Sequence, residues 1–280
     1  MAGTSMNDIK SRIKSVESTM QITRAMELVA TSKLRRAKER AEATRPYFEA
    51  VGRCMQALLD AGADISSPLL KKPSGGKHLF IVVAGDRGLA GGYNANIFKL
   101  TRALAGNGET TYLPIGKKAT EHCRQKGLEI YSELCTVASD VGVGTCMEIG
   151  ELLVSGFLRG DFDRVTVVYT KFVSMLSQLP AYEEILPFAG TDGASVQITE
   201  VDGEIDDTFA KISVEYLGGI IWCALTESIA SEHASRRNAM SSAGNNAKEM
   251  IDTLVLKFNR ARQSVITQEI TEIVSGAEAL

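Results

Sequence analysis

The stretch GDRGLAGGYN, residues 85–94, is where this sequence comes nearest to chemistry. It follows the apolar run 79–84 (LFIVVA) and precedes a helical pattern, and a strand–glycine turn–helix arrangement cradles phosphate when backbone N–H groups converge at the helix N-terminus. The spacing of Gly85, Gly88, Gly91 and Gly92 is not G-x-G-x-x-G, and no Lys followed by Ser or Thr closes a Walker loop. Glycines that only permit a tight turn account for the stretch more simply. Asp86 and Arg87 are the one charged pair placed within it, and a salt bridge or a helix cap would explain both. His78, His122 and His233 lie in three segments, and none has a Cys, Asp or Glu at triad or metal-ligand spacing. The five cysteines (Cys54, Cys123, Cys135, Cys146, Cys223) are odd in number, scattered and without a CxxC pair, as free thiols in a reducing compartment would be. Read alone, these residues give no active site, no metal site and no cofactor.

The elements that would position these groups follow from pattern. With 44% hydrophobic and 23% charged residues, the 280-residue chain has material for one domain plus an extended element. Its longest purely apolar run, 79–84, is far short of the ~20 residues that cross a bilayer, and the N-terminus lacks the apolar core of a secretory signal. Ser, Pro and Gly gather in 66–77, a linker. From 78 to 208, strand and helix patterns alternate: strands at 79–84, 111–116, 130–134 and 164–171, helices at 95–104, 117–126 and 147–158. Such alternation predicts a parallel sheet covered by helices. Two further strand-like pieces, 184–188 and 195–201, follow Pro180 and Pro187.

The two ends have a different character. No proline occurs from Phe209 to Leu280, and Ala247, Ile251, Leu254, Phe258, Ala261 and Val265 repeat at four and three. A seven-residue repeat keeps one stripe facing a seam, so the helix winds around a partner. The N-terminal region supplies one, with Ile9, Ile13, Val16 and Met20 at the same spacing and Met26, Ala30, Leu34, Ala37 and Ala41 continuing after a phase shift. The fold expected is therefore α/β: a long antiparallel coiled coil of N- and C-terminal helices plus a Rossmann-like parallel α/β domain. Its parts are a helix over 1–65, a linker over 66–77, the domain over 78–208 and a second helix over 209–280. Helices of sixty to seventy residues would run roughly 90–105 Å, a length no domain of this mass needs unless it reaches something.

Charge is uneven: residues 1–53 hold eleven Lys or Arg against six Asp or Glu, so the rest of this chain of net charge −3 carries −8. A basic helix is most often a solvated face, and the sharper reading is an acidic partner. Nucleic acid is disfavoured, since the cluster at 33–38 (KLRRAK) has no aromatic neighbours for stacking and the overall charge is negative.

Three strings carry a resemblance: QITRAMELVATSKLRRA near the N-terminus, GDRGLAGGYNANIFK in the middle and NRARQSVITQEITEIVSGAEAL at the C-terminus. With the helix, α/β domain, helix arrangement, they make the chain resemble, over essentially its full length, the gamma-subunit family of F-type ATP synthases. The resemblance implies a rotor without an active site or cofactor of its own. Its terminal helices would turn inside a ring of three alpha and three beta subunits, and its domain would sit against epsilon and the membrane-embedded c-ring. Ion flow through that ring would drive ATP synthesis at beta. It also implies peripheral attachment at the cytoplasmic face of a bacterial membrane, and Met1, Ala2 and Gly3 leading directly into the helix leave no room for an organelle transit peptide.

Carried over by position, Met26, Lys33 and Arg36 match the N-terminal segment that faces an acidic lever loop of beta. Arg236, Gln263, Thr267 and Glu269 match C-terminal-helix positions implicated in contacts with a catch loop and in coupling. The chain departs from the family in having Arg236–Arg237 where an Arg-Met pair is usual, and Ser241, Ser242, Ala243 and Gly244 in place of an Ala-Thr-rich stretch. It also lacks the aromatic-Glu-Pro pattern around 199–203 and the cysteine-bearing insert of chloroplast relatives. Gly244 inside a long helix costs about 1 kcal/mol against Ala and is an expected point of bending. Two other readings stay open on the residues alone: a Rossmann-like nucleotide enzyme with a helical dimerisation arm, and a coiled-coil adaptor.

Overall fold

A computed structural model of the chain describes residues 6–60, 67–70, 76–106, 108–188 and 205–278. The strand-like piece expected at 195–201 lies outside them. Two compact units divide the chain, one spanning Thr31–Arg236 and the other made of Met1–Ala30 with Arg237–Leu280. Both long helices, α1 (Met6–Asp60) and α5 (Ile205–Glu278), contribute to each.

The larger unit is built on a four-stranded sheet. Its strands are β1 (His78–Val83), β2 (Thr110–Ile115), β3 (Arg164–Phe172) and β4 (Gln178–Leu186), in the order β2-β1-β3-β4. β1 runs parallel to both β2 and β3, and β4 is antiparallel to β3. The helices between them are α2 (Tyr93–Ala105), α3 (Lys117–Lys126) and α4 (Val143–Arg159). Because side chains alternate across a strand, β1 feeds two cores. Leu79, Ile81 and Val83 join Ile149 and Leu153 of α4, Phe48, Met55 and Leu58 of α1, and Leu217, Ile221, Trp222 and Leu225 of α5 on one face. Phe80 and Val82 pack with Ile97 of α2 and with Ala119 and Cys123 of α3 on the other. α5 is long and apolar enough by composition to cross a membrane, with a stretch of mean hydropathy 1.2, yet half of that stretch is buried within the chain.

The sheet differs from the expected parallel one at its edge. Pro180 reads as a strand break, but β4 runs straight through it, paired with Thr170 of β3. An edge strand tolerates a residue without an N–H, because only one side of it needs ladder bonds. A tight turn folds β4 back, with Ser174 N–H donating to Ser177 O at 2.9 Å. The strand expected at 130–134 shrinks to one bridge between Tyr112 and Ile130.

α1 also passes through a proline. Pro46 has no N–H and its ring crowds the preceding turn, a cost of about 3 kcal/mol in a helix interior. Tertiary contacts on both sides hold the helix. Trp222 Nε1–H donates to Thr44 Oγ1 at 2.7 Å, the Arg40 guanidinium lies 4.5 Å from the Trp222 ring centroid, and Tyr47 Oη–H donates to Glu215 Oε2 at 2.8 Å. The Thr44 hydroxyl itself reaches back to the carbonyls of Arg40 and Ala41.

In the other unit the two helices pair along their apolar stripes. Ile9, Thr23 and Ala30 are buried on α1, and Met240, Ala247 and Leu254 on α5, while Ile13, Val16, Met20, Ile251, Phe258 and Ala261 are partly buried. A Cβ at Gly244 would come within 3.5 Å of Thr23 Oγ1, which fixes the antiparallel register and places Phe258 level with Ile9 and Ala261 level with Met6. Beyond Ala261 no partner helix follows among the described residues, and every position from 262 to 275 is exposed. Val265, the last rung expected on the seam, is 42% exposed for that reason.

Candidate functional site

The first backbone donor of the glycine turn is taken up within the chain. Gly85 N–H donates to Asn94 Oδ1 at 2.9 Å, and the Asp86 carboxylate accepts from the backbone N–H groups of Lys117 (3.2 Å), Ala138 (2.8 Å) and Ser139 (3.1 Å). Asp86 thus caps the start of α3 and fixes the turn at 138–140, the capping role that its place in the sequence allowed. Gly116 closes the neighbouring loop at φ 99°, where a Cβ would meet Ala84 O at 2.2 Å. Only glycine fits there. Leu89 adopts φ 61°, a left-handed conformation that costs a branched residue, and is 65% exposed.

What the turn offers instead is a row of carbonyl oxygens, and α5 supplies the donors. Arg236 Nη2 donates to Arg87 O at 3.3 Å and to Gly88 O at 3.2 Å, and Ser235 Oγ–H donates to Ala90 O at 2.7 Å. The same guanidinium pairs with Glu232 at 2.5 Å, with the two side chains only 10% and 9% exposed. A Cβ at Gly85 would lie 2.7 Å from the Glu232 carboxyl carbon, so the missing side chain is what admits that carboxylate. One turn earlier, Ser231 Oγ–H donates to Thr170 O at 3.0 Å, and Ser228 Oγ lies 2.7 Å from the buried Tyr93 hydroxyl. The turn, β3 and α5 are bolted together by small hydroxyls around one buried ion pair.

Electrostatics here follow burial. Desolvation holds the Glu232 carboxyl above the usual carboxylate range despite the pull of Arg236. His233 is pushed down to about 4 by burial first and by Arg236 and Lys33 next. The thiols of Cys123, Cys135 and Cys146 are raised by burial to about 11, about 11 and about 12, which removes them from thiolate chemistry near neutral pH. Among the described residues, no three His, Cys, Asp or Glu groups are placed to hold a metal ion.

The seven positions singled out in the sequence fall in different settings. Lys33, Arg36 and Arg236 belong to the larger unit. Lys33 and Arg36 are exposed on α1, and Lys33 acts on both Glu232 and His233, so α1 and α5 bring Lys33 and Arg236 to one neighbourhood. The Arg236 guanidinium is filled by partners in its own chain. In the paired-helix unit Met26 is partly buried, whereas Gln263, Thr267 and Glu269 are exposed on the end of α5 that has no partner among the described residues. Gln263 and Thr267 share one face a turn apart, with Thr267 Oγ1–H donating to Gln263 O at 2.9 Å. That end also exposes Ile266 (45%), Ile270 (56%) and Ile273 (72%) on a stripe of its own. Glu232, Ser228, Ser231, Ser235 and Asn94 were not singled out. The signal for the α5 group is the run of small residues in SIASEHAS, whose polar members recur every three or four positions.

Two long terminal helices with a sheet domain between them in sequence are also found among known proteins. The family model described as ATP synthase matches residues 5–280. The ATP synthase gamma chain of Ruminococcus albus is 45% identical over 97% of each chain, and the sodium ion specific ATP synthase gamma chain of Acetobacterium woodii is 36% identical over 98% of each. The central stalk and c-ring structure of the Tetrahymena thermophila mitochondrial ATP synthase contains a chain similar at 26% identity and a TM-score of 0.59, covering 79% of this chain and 99% of that one. A chain of the Euglena gracilis mitochondrial ATP synthase rotor shares the fold at a TM-score of 0.66 and 17% identity, covering 93% and 98%. The chain belongs to the gamma-chain family of the ATP synthases.

Proposed function

We propose that this chain is the central-stalk rotor of an F-type ATP synthase, a mechanical subunit that carries torque between ion flow through a c-ring and nucleotide chemistry at beta subunits, without catalysing a reaction itself. The observation that carries this reading is the end of α5. Past Ala261 it continues as a single helix with every side chain exposed from 262 to 275 and apolar groups along one stripe. Apolar contacts are non-directional, so such a helix can turn inside a sleeve without breaking a fixed set of hydrogen bonds at each angle. The paired helices behind it resist twisting better than one helix would.

The complex this implies has three alpha and three beta subunits around the helices, with epsilon and the c-ring against the domain, at the cytoplasmic face of a bacterial membrane. Met26, Lys33 and Arg36 would face acidic loops on beta, and Gln263, Thr267 and Glu269 would meet a catch loop. Arg236 would serve coupling by locking the glycine turn to α5. The division of labour is helix 1–65, linker 66–77, domain 78–208 and helix 209–280. A nucleotide enzyme is the weaker reading, because the turn that would hold phosphate spends Gly85 N–H on Asn94 and presents carbonyl oxygens.

Co-expression of alpha and beta with and without this chain, followed by ATPase assays and a nucleotide titration of the chain alone, tests the proposal. Sustained turnover only with the chain present, and no nucleotide bound by it, is the expected result. Micromolar nucleotide binding by the chain alone with no effect on the assembly would overturn it.

A further inference from the structure

On the sheet face opposite α4, the helices α2 and α3 leave a groove of about 590 Å³ between them. Its size lies within the roughly 300–1,000 Å³ of small-molecule sites. The floor is apolar, with buried Val82 and half-buried Leu128. One wall is a pair of rings, Phe98 and His122, stacked with centroids 4.0 Å apart and planes 2° from parallel. Burial and then Lys126 hold His122 below its ordinary pKa, so this wall is uncharged at neutral pH. Inside, Thr110 Oγ1–H donates to the hydroxyl of Tyr112, a residue only 4% exposed, which leaves the Tyr112 O–H free to donate in turn.

The rim has one sign. Lys99, Arg102 and Lys126 line the groove, and among the described residues no Asp or Glu does. None of the three cations forms an ion pair among the described residues. Lys99 and Arg102 stand three apart on α2, so they project from one face toward Lys126 at the end of α3. In a chain of net charge −3, this is a local positive focus over an apolar concavity.

We propose that the groove between α2 and α3 binds a small aryl anion, with a flat apolar body against Phe98, Leu128 and Val82 and a phosphate-type group held by Lys99, Arg102 and Lys126. Nucleotides fit less well, because recognition of ribose hydroxyls draws on a carboxylate acceptor and the described residues of the groove supply none. The site shares no residue with the exposed end of α5 and does not depend on the rotor reading.

The test is calorimetric titration of the full-length chain with 1-naphthyl phosphate, beside 1-naphthol, inorganic phosphate and AMP. One-to-one binding with a Kd of about 0.1 mM or below is expected, as for a ligand of this size in a preformed pocket. Naphthol and phosphate should each bind at least about tenfold more weakly, since each keeps half of the recognition. The exposed double variant Arg102→Glu with Lys126→Glu should weaken binding about tenfold or more. Ala105→Trp, which fills the groove from α2, should abolish it. Urea midpoints of both variants establish that each folds. The proposal is overturned by the absence of saturable binding, by affinity unchanged in both variants, or by inorganic phosphate or AMP binding as tightly as the naphthyl compound.

Discussion

Replacing Arg236 by Met would leave the Glu232 carboxylate buried without its cation and the carbonyls of Arg87 and Gly88 without their donor. Removing one partner of a buried pair costs about 3–5 kcal/mol, far more than the pair contributes over an apolar replacement, because an uncompensated charge stays behind. Glu232→Gln leaves the guanidinium without its counter-charge but still bonded to the Arg87 and Gly88 carbonyls and to the amide oxygen, so its cost should be smaller, about 1.5–3 kcal/mol. The double variant Glu232→Gln with Arg236→Met should cost about 1–3 kcal/mol less than the sum of the two. Urea unfolding followed by Trp222, the only tryptophan and 2% exposed in the same unit as the clamp, reads these differences directly. At a slope of about 2–3 kcal/mol/M, Arg236→Met should lower the midpoint by about 1–2.5 M.

The pH dependence sharpens this test. Burial already raises the folded-state pKa of Glu232, and loss of Arg236 raises it further. The folded variant then holds its proton more tightly than the unfolded chain. Its deficit should be full above the raised pKa and should shrink as pH falls toward the ordinary Glu range near 4.5. An Arg236→Met variant within 1 kcal/mol of the parent, additive single costs, or a deficit that grows on acidification would each refute the reasoning.

Gly244→Ala should stabilise the paired helices by about 0.5–1 kcal/mol, seen as a higher thermal midpoint, since the new Cβ makes only ordinary contact with Thr23 at 3.5 Å. His78 and His233 are both held down to about 4, chiefly by burial, so the folded chain resists their protonation. Stability present above about pH 6.5 should therefore be lost as pH falls toward 4, and His78→Asn should flatten that loss in urea titrations at stepped pH. Ile266→Asp with Ile270→Asp, on exposed positions, should leave the isolated chain's stability within about 0.5 kcal/mol and yet reduce co-purification with alpha and beta.

The long helices were legible because proline-free heptads announce both a helix and its seam, and α3 could be read to the residue because Gly116 and Gly127 bracket it. β4 was misread because Pro180 signals a break in any strand but an edge one, and edge position is set by neighbours distant in sequence. The clamp was illegible for the same reason. Gly85 and Glu232 carry no shared period, and nothing local tells that one lacks a side chain to admit the other's carboxylate. Arg236, implied by resemblance to be a partner contact, has its guanidinium engaged by groups that only the tertiary fold brings within reach. The exposed end of α5 needed the register, since Val265 continues the stripe perfectly well on paper while α1 is described only from Met6.

The central claim, that this chain turns, is tested most directly by watching it. Alpha and beta subunits assembled with the chain would be fixed to a surface through beta. A bead would be attached at Leu176→Cys, a position 85% exposed on the turn between β3 and β4, with the exposed Cys54 and Cys223 replaced by Ser. Rotation of the bead in one direction on addition of ATP, pausing three times per turn, is the predicted result. ATP hydrolysis at an undiminished rate with the bead stationary would contradict the account.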